Sequence, residues 1–210
     1  MCFAAVMADE FLNRIYAPMS QDATTAIYDD WAASYDAEVG RNGYVTPTRL
    51  ATLLMDHLRA PDMPILDYGC GTGLSGLALR AAGFTTLDGT DPSPGMLDAA
   101  RAKGIYRSLT QLDLEADPIL APGAYPVIAA VGVIGTGAAP PETFDTLMRA
   151  LPRGGILTLS LNDHALADPV YEGALNGWLD CGAARLLVKD HGDHLPGKGL
   201  NSNVYIIEKA

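Results

Sequence analysis

The feature that most constrains the fold of this chain is an apolar run that ends in an acid and three alternating glycines. Residues 65–73 spell Ile-Leu-Asp-Tyr-Gly-Cys-Gly-Thr-Gly, and a helical pattern begins at Leu74. Glycines at every second position remove Cβ atoms where a chain turns tightly and where its backbone approaches a ligand. A second apolar run ends in Asp91, at a strand tip from which a carboxylate can bind both hydroxyls of a ribose. This order predicts a nucleotide-type ligand at the end of a parallel sheet.

Strands and helices are predicted to alternate along most of the chain. Five strands are expected at 64–68, 84–90, 105–110, 126–134 and 155–162. Four helices are expected between and after them, at 74–82, 94–103, 140–151 and 168–179. Such alternation implies a parallel sheet with helices on both faces, connected in a right-handed sense. The last two strands, near 184–189 and 203–208, have no helix between them and should form an antiparallel hairpin at the sheet edge.

Two further helices, at 21–39 and 44–59, are predicted before the first strand. Tyr28, Trp31 and Tyr35 share one face of the first of them at helical spacing. We expect residues 1–60 to form an N-terminal helical segment and residues 61–210 the ligand-binding domain, as one structural unit. From the residues alone, the aromatic face indicates packing on the core.

Composition excludes several classes of function. The formal net charge of −11 argues against a nucleic-acid partner, because binding to phosphates needs clustered Lys and Arg. The three cysteines form no C-x-x-C pair, so a disulfide framework or a zinc site is not expected. No apolar run reaches the roughly 18 residues of a membrane helix, and the N-terminus lacks the basic region of a signal peptide. We expect a cytoplasmic protein without membrane partners.

The spacing of the glycines distinguishes two kinds of nucleotide site. A dinucleotide fingerprint, G-x-G-x-x-G or A, requires a small residue where this chain has Leu74. The pattern D-x-G-x-G-x-G from Asp67 to Gly73 instead resembles motif I of class I S-adenosylmethionine-dependent methyltransferases. Residues 91–100, Asp-Pro-Ser-Pro-Gly-Met-Leu-Asp-Ala-Ala, resemble the second motif of that family, and residues 111–114, Gln-Leu-Asp-Leu, resemble the third.

The resemblance implies a fold, a cofactor and a set of binding residues. The fold is α/β and Rossmann-like, doubly wound, with a seven-stranded, mostly parallel sheet and an antiparallel C-terminal hairpin. The cofactor is S-adenosylmethionine, with S-adenosylhomocysteine as product. In many small-molecule methyltransferases of this family a segment similar to Trp31–Asp36 forms a lid over the cofactor, so residues 1–60 are expected to form such a lid, with its hinge at residues 42–44. The residues expected to bind it lie in the lid, the glycine loop and the ends of the strands: Tyr35, Asp67, Gly69, Cys70, Gly71, Thr72, Gly73, Asp91, Pro92, Met96, Asp113, Leu114 and Val131.

Individual roles follow from the same resemblance. Asp67 is expected to organise the glycine loop and the amino-acid end of the cofactor, directly or through water. Asp91 is expected to bind the ribose and Asp113 the adenine amino group, while Met96 and Leu114 enclose the adenine. A tyrosine of the lid is expected to contact the methionine carboxylate, and Tyr35 is favoured over Tyr28.

Each of these residues also has a purely structural alternative. Asp67 could cap backbone amides, and Asp91 and Asp113 could be turn residues. Asp91 is not needed to cap the next helix, since Ser93 precedes a proline at the first helical position. Met96 could simply fill the core.

A more specific resemblance covers roughly residues 27–160. The segment 27–36, Ile-Tyr-Asp-Asp-Trp-Ala-Ala-Ser-Tyr-Asp, and residues 103–106, Lys-Gly-Ile-Tyr, are similar to the Williams–Beuren syndrome critical-region methyltransferase-like proteins. This resemblance indicates no substrate.

The acceptor side of the site is less well marked in the sequence. Residues 131–137, after the fourth strand, contain none of the acidic, Asn or Pro-Pro motifs that serve amino methylation of nucleic-acid bases. His164 follows the fifth strand and is the candidate general base, unless it is a plain surface histidine. His191 and His194 lie in a predicted loop, 190–201, where a substrate-facing role is favoured over a metal site. No metal is expected.

The sequence therefore predicts methyl transfer from S-adenosylmethionine to a small-molecule acceptor. One alternative is a protein that binds S-adenosylmethionine without catalysis. A less favoured one is an NAD(P)-dependent oxidoreductase, which Leu74 disfavours. The sequence leaves the oligomeric state and the methylated atom open.

Overall fold

A computed structural model of the chain describes residues 10–15 and 20–210. Its helices are α1 (Glu10–Ile15), α2 (Gln21–Trp31), α3 (Tyr35–Arg41), α4 (Thr46–Leu58), α5 (Leu74–Ala81), α6 (Pro94–Ala102), α7 (Thr143–Ala150), α8 (Asp163–Leu166) and α9 (Pro169–Asp180). Its strands are β1 (Ile65–Tyr68), β2 (Leu87–Asp91), β3 (Ser108–Gln111), β4 (Val127–Ala130), β5 (Ile156–Asn162), β6 (Ala184–Leu195) and β7 (Leu200–Lys209).

The seven strands form one sheet in the order β3-β2-β1-β4-β5-β7-β6. Strands β1 to β5 are parallel, and β7 pairs antiparallel with both β5 and β6. The predicted fold class is confirmed. Because the chain leaves β1 toward β2 on one side and later returns to β4 on the other, a crevice opens at the carboxyl end of β1.

Both faces of the sheet are covered by helices. On one face, Phe144, Leu147 and Met148 of α7 pack against Ile128 and Leu157 of the central strands. The hydrophobic side chains recur at helical spacing, so that one stripe of α7 is buried. The other face is covered by α4 and α5. None of the described helices combines the length and the apolar composition required to cross a membrane.

Helix α4 packs directly on the sheet and is part of the hydrophobic core, rather than part of a separate lid. Ala51 and Leu54 are buried in the same cluster as Ile65, Leu79 and Phe84. Full burial of a leucine side chain such as Leu54 contributes roughly 1.5–3 kcal/mol to folding. The predicted lid, residues 1–60, therefore includes a helix that is part of the core, and of the described helices α1, α2 and α3 lie outside the sheet layers.

Three elements differ from the sequence prediction for identifiable reasons. The helix expected over 21–39 is broken at residues 32–34, where the turn brings the Tyr35 ring edge-on to Trp31 at 4.7 Å between centroids. The strand expected over 126–134 ends at Ala130, because Gly132 has a φ of 70° and turns the chain away. The short helix α8 was not predicted; the Asn162 side chain caps it by accepting from the amide of Ala165.

The region expected to be a loop, 190–201, is mostly sheet. Strands β6 and β7 stay paired from Ala184↔Lys209 to Leu195↔Leu200, with register shifts on the way. Only residues 196–199 form the turn, of which Pro196–Lys198 is a single 3₁₀ turn. The alternation that marks an exposed strand was hidden by the glycines and charges of this segment.

Candidate functional site

The glycine loop between β1 and α5 has the backbone conformation that its sequence predicted. Gly69, Gly71 and Gly73 have φ values of 67°, 52° and 94°, a region that L side chains rarely adopt. A Cβ on Gly69 would also lie 2.6 Å from Cγ2 of Val133. At Gly71 nothing closer than the Met96 sulfur, at 4.0 Å, would meet it, so conformation rather than space requires glycine there.

Asp91 is held at the edge of this loop by two backbone amides. Its Oδ2 accepts from Gly71 N and its Oδ1 from Ser93 N, each at 2.9 Å. Each carboxylate oxygen can still accept a further hydrogen bond. Ser93 caps α6, as predicted, by accepting from the amide of Met96. Burial raises the pKa of the Asp91 carboxyl to about 6, although both amide bonds oppose the rise.

A cavity, here called the first cavity, opens above the glycine loop. Its floor is the loop itself, and Asp91 lies on its wall. Hydrophobic side chains of β-strand ends and α6 line one side, and three tyrosines of the N-terminal region cover another. Ten of the predicted cofactor residues line it: Tyr35, Gly69, Cys70, Gly71, Thr72, Asp91, Pro92, Met96, Leu114 and Val131. Leu112, Tyr44 and Ser75 also line it and were not predicted, and so does Tyr28, the less favoured of the two tyrosines.

The three other predicted residues do not line the first cavity. Asp67 lies beneath the loop, and Gly73 backs onto α6 and Tyr106. Asp113 is exposed, and its Oδ1 accepts from the amide of Glu115 in a local turn. This contact agrees with the alternative interpretation of Asp113 as a turn residue. Asp113 borders a shallow groove beside Pro92 instead.

Asp67 acts on the loop from below. It is completely buried, and its Oδ2 accepts from Ser75 Oγ at 2.7 Å and from the Tyr106 hydroxyl at 2.6 Å. Burial raises the pKa of the Asp67 carboxyl to about 6, against the effect of these two bonds. Its Oδ1 has no hydrogen-bond partner within the described part of the chain. Asp67 is therefore connected to the first cavity only indirectly, by its hydrogen bond with Ser75, which lines the cavity.

Tyr106 is a supporting residue that the sequence analysis missed. Its ring lies under the glycine loop, where a Cβ on Gly76 would come within 2.3 Å of its hydroxyl oxygen. Burial raises the pKa of the Tyr106 phenol, which thus stays a neutral donor to Asp67. The signal that could have found it is Gly76, since a glycine inside a helix indicates close approach by another group.

Two acids of the N-terminal helices attach them to the site. In α2, Asp29 Oδ1 accepts from Ser93 Oγ at 2.8 Å and from Gly95 N at 2.6 Å, at the start of α6. In α3, Asp36 accepts a hydrogen bond from Thr72 of the glycine loop and pairs with Lys103, which directly follows α6. These contacts place α2 and α3 over the first cavity.

An aromatic cluster supports these helices from within. Trp31 is 1% exposed, and its Nε1 donates to Glu38 Oε2 at 2.8 Å. Tyr28 stacks on Trp31 with 5.8 Å between ring centroids, and Tyr35 meets it edge-on. Core packing and cavity lining are thus properties of the same aromatic face.

A second cavity adjoins the first through Tyr28, Tyr35, Tyr44, Gly132 and Ala138, which line both. Six hydrophobic side chains form part of its remaining wall: Leu12, Ile15, Trp31, Val39, Ile134 and Leu195. Besides the three tyrosines, its polar side chains are Thr136, Ser160, Asn162 and His194. No charged side chain of the described residues lines it.

The histidine that faces a cavity is His194 rather than His164. His164 is exposed on α8 and lines neither cavity, because α8 turns it away from the crevice. His194 is 6% exposed, and its Nδ1 lies 2.9 Å from Thr46 Oγ1. Burial lowers the pKa of the His194 imidazole to about 4, so it is neutral near pH 7.

The other polar residues of segment 190–201 point elsewhere. His191 is exposed and bonds through Nδ1 to Asn203 Oδ1 at 2.9 Å. Asp190 pairs with Arg49 of α4 at 2.6 Å. Among the described residues, no group of three His, Cys, Asp or Glu side chains is placed to hold a metal ion.

The methyltransferase domain family matches residues 43–201 of this chain. The human protein named methyltransferase-like protein 27 is 36% identical over 156 residues. That match covers 73% of this chain and 63% of the human protein, so the chain spans less than two thirds of that relative.

Solved structures of several proteins share the fold. Magnesium protoporphyrin IX methyltransferase from Synechocystis PCC 6803, with bound SAM, has a TM-score of 0.61 and 18% identity, and the match covers 97% of this chain and 92% of the other. The [4+2]-cyclase SpnF has a TM-score of 0.56 and 15% identity, over 77% and 80% of the two chains. At such identity the likeness concerns the fold alone. By its match to the family over residues 43–201, this chain belongs to the methyltransferase domain family.

Proposed function

We propose that this chain is an S-adenosylmethionine-dependent methyltransferase that acts on a small-molecule acceptor by in-line transfer. The observation that carries the proposal is the arrangement of two adjoining cavities, one above the glycine loop beside Asp91 and one under the aromatic cluster. The first suits the cofactor and the second suits the acceptor. The shared wall of the two cavities is where the methyl group would pass.

The side chains of the first cavity fit S-adenosylmethionine. Asp91 offers two carboxylate oxygens to the ribose hydroxyls, and Met96, Leu112 and Leu114 offer apolar contacts to the adenine. The glycine loop leaves room for its backbone to approach the amino-acid end of the cofactor, and Tyr35 is the residue that we propose would hold the carboxylate of that end. When bound, this cofactor supplies a methyl group on a sulfonium that is already a good leaving group.

The protein then has two remaining tasks, alignment and exclusion of water. Alignment places the acceptor in line with the methyl and the sulfur, which lowers the entropy cost of the reaction. Exclusion of water is the role we assign to α2 and α3, which Asp29 and Asp36 attach to α6 and the glycine loop. A general base is needed only for an acceptor that retains its proton strongly. We do not assign that role to the exposed His164.

A small acceptor fits this architecture better than a nucleic acid. The second cavity lies under Trp31 and Tyr35, and the net charge of −11 would repel a phosphate chain. We retain the lid and the boundary near residue 60 as proposals, with α4 assigned to the core. A cytoplasmic location is proposed from the low cysteine content and the absence of a disulfide pattern in the sequence.

The alternatives remain distinct in experiment. A protein could bind the cofactor without transferring its methyl group, and the cyclase of the same fold illustrates that fold does not settle activity. An NAD(P)-dependent oxidoreductase is disfavoured by Leu74, which lines the first cavity where a small residue would be needed.

Calorimetry followed by a transfer assay tests the proposal. S-adenosylhomocysteine should bind and NAD should not; tighter binding of NAD would overturn the cofactor assignment. With methyl-labelled S-adenosylmethionine, label should appear in members of a small-molecule library and not in tRNA or DNA. Binding of the cofactor with no transfer to any library member would favour the non-catalytic alternative. Transfer to nucleic acid alone would contradict the acceptor proposal.

A further inference from the structure

We propose that the second cavity recognises an uncharged acceptor through hydrogen-bond donors, contributed by His194, Asn162 and Ser160, and therefore takes a molecule with a carbonyl-type oxygen. The proposal rests on the function proposed above, in that it takes the second cavity as the acceptor site. Its basis is that each of these three side chains already accepts a hydrogen bond from the fold and retains a hydrogen to donate.

Ser160 and Asn162 lie two residues apart, on the same face of β5. Ser160 Oγ accepts from the amide of Gly132 at 2.9 Å, which leaves its hydroxyl hydrogen to donate. Asn162 Oδ1 accepts from the amide of Ala165 at 3.0 Å, and this fixes which end of the side-chain amide carries the hydrogens. No hydrogen bond of Asn162 Nδ2 is found among the described residues, so both of its hydrogens remain for an occupant.

The state of His194 is set by a chain of hydrogen bonds behind it. Arg49 Nη1 lies 3.1 Å from Ser202 Oγ, which lies 3.0 Å from Thr46 Oγ1, which lies 2.9 Å from His194 Nδ1. Arginine can only donate, so Ser202 accepts at this end of the chain.

The direction of the remaining two hydrogen bonds follows from the requirement that each buried hydroxyl hydrogen has an acceptor. Ser202 and Thr46 are both fully buried. If Ser202 donates to Thr46 and Thr46 donates to His194 Nδ1, every hydroxyl hydrogen in the chain has an acceptor. The reverse direction leaves the Ser202 hydrogen without an acceptor among the described residues, at the cost of an unpaired buried group. His194 Nδ1 is thus the acceptor, and the ring proton resides on Nε2.

The Nε2 atom is left for the cavity. It makes no hydrogen bond with the residues that the structure describes, and His194 lines the second cavity. Burial lowers the pKa of His194 to about 4. Arg49 and His164 also lower this pKa, whereas the nearby Asp163 raises it but does not offset the effect of burial. The ring is therefore a neutral donor at Nε2 and not a base at that atom.

The walls select against charge. Since no charged side chain of the described residues lines the second cavity, a cationic or anionic acceptor would lose hydration there without a protein counter-charge. A neutral carbonyl oxygen would instead accept hydrogen bonds from these donors without bringing a charge into the cavity.

Four probes of one shape test this selection in the presence of saturating S-adenosylhomocysteine: benzamide, benzylamine, benzoate and toluene. Ligand-observed NMR measures their affinities, and the ¹⁵N shifts of His194 report its tautomer. We expect the Nε2–H tautomer, benzamide as the tightest binder, and a shift of His194 Nε2 when benzamide binds. Tighter binding of benzoate, benzylamine or toluene, or an Nδ1–H tautomer, would overturn the proposal.

Asn162→Asp supplies the matched variant. The new carboxylate keeps an oxygen for the Ala165 amide, so α8 stays capped, but it replaces the Nδ2 donor by an acceptor. Benzamide should bind roughly 10-fold more weakly, near the upper end of the range for one lost neutral hydrogen bond, and benzylamine should bind more tightly. Asn176→Asp, exposed on α9 and outside both cavities, controls for the added charge.

The two proposals fail differently. If S-adenosylhomocysteine does not bind the wild-type chain, the proposed function fails. If S-adenosylhomocysteine binds equally to wild type and Asn162→Asp while the preference among probes is unchanged by the substitution, only the donor assignment fails.

Discussion

Asp36 of α3 and Thr72 of the glycine loop are joined directly, with Thr72 Oγ1 donating to Asp36 Oδ1 at 2.5 Å. Lys103 at the end of α6 completes the contact, since its Nζ lies 2.8 Å from Asp36 Oδ2 and donates to the Thr72 carbonyl at 2.5 Å. The N-terminal helices are thus bonded to the loop that would hold the cofactor. Any movement of α3 must break or carry these bonds.

Asp36→Asn should loosen α3 without unfolding the domain. The Asp36 side chain is 41% exposed, so its pair with Lys103 is partly screened, and we expect a loss of about 1 kcal/mol at most. Hydrogen exchange on residues 21–43 should be faster in the variant and slower when S-adenosylhomocysteine is added to the wild type. Asp30→Asn, exposed on α2, is the control. Equal exchange with and without ligand would contradict the lid proposal.

Asp91→Ala should weaken binding of S-adenosylhomocysteine by roughly 1.5–3 kcal/mol, the range for hydrogen bonds to a charged group. The structure adds a second effect. Because the carboxylate also accepts from Gly71 N and Ser93 N, the melting temperature should fall moderately although the fold survives. Calorimetry and thermal melting measure the two effects separately. Unchanged affinity would make Asp91 a turn residue only.

Gly76→Ala should destabilise the fold by roughly 1–3 kcal/mol, the usual cost of overpacking, because its Cβ would lie 2.3 Å from the Tyr106 hydroxyl oxygen. Gly173→Ala is the matched control, since Gly173 is helical in α9 and a Cβ there meets nothing within 4 Å. That control should be neutral or stabilising by up to about 1 kcal/mol. Denaturant unfolding measures both. Equal effects of the two substitutions would show that Tyr106 does not hold the position described.

Affinity for the cofactor should fall as the pH drops through about 6. Burial raises the pKa of Asp91 to about 6, and a protonated carboxyl has lost acceptor capacity for the ribose hydroxyls. Binding should therefore release protons near pH 6, which calorimetry in two buffers of different ionisation enthalpy detects. Asp91→Asn should lack this step. A pH-independent affinity from about pH 5 to 7 would contradict the assignment.

The stability of the unliganded chain should show opposing effects in the same range. Asp67 and Asp91 have raised pKa values, so between about pH 4 and 6 the folded chain holds more protons and their contribution to stability falls as the pH rises. His194 has a pKa lowered to about 4, so its contribution is present above pH 6.5 and is lost as the pH falls toward 4. Replacing His194 by Gln should remove that acid-side loss in urea titrations between pH 4 and 7.

Features that depend on near neighbours in the chain were determined by the sequence. The alternation of strands and helices predicted the sheet, because burial on both faces imposes continuous apolar runs such as β4. The glycines of the loop were predictable since positive φ is a local property, and so was the Ser93 cap, whose partner Met96 is three residues away. The same local chemistry hid the second half of β6, residues 190–195, where glycine and charges suggested a loop.

The tertiary structure alone decided which distant groups meet. Asp36 and Thr72 are 36 residues apart, and Thr46 and His194 are 148 apart, so neither pair leaves a periodic signal in the chain. The orientations of the two histidines were decided in this way. Helix α8 turns His164 toward solvent, and the pairing of β6 with β7 turns His194 toward the interior. Hydrogen bonds and desolvation depend on separation in space, and that separation is fixed only when the packed helices and sheet bring the elements together.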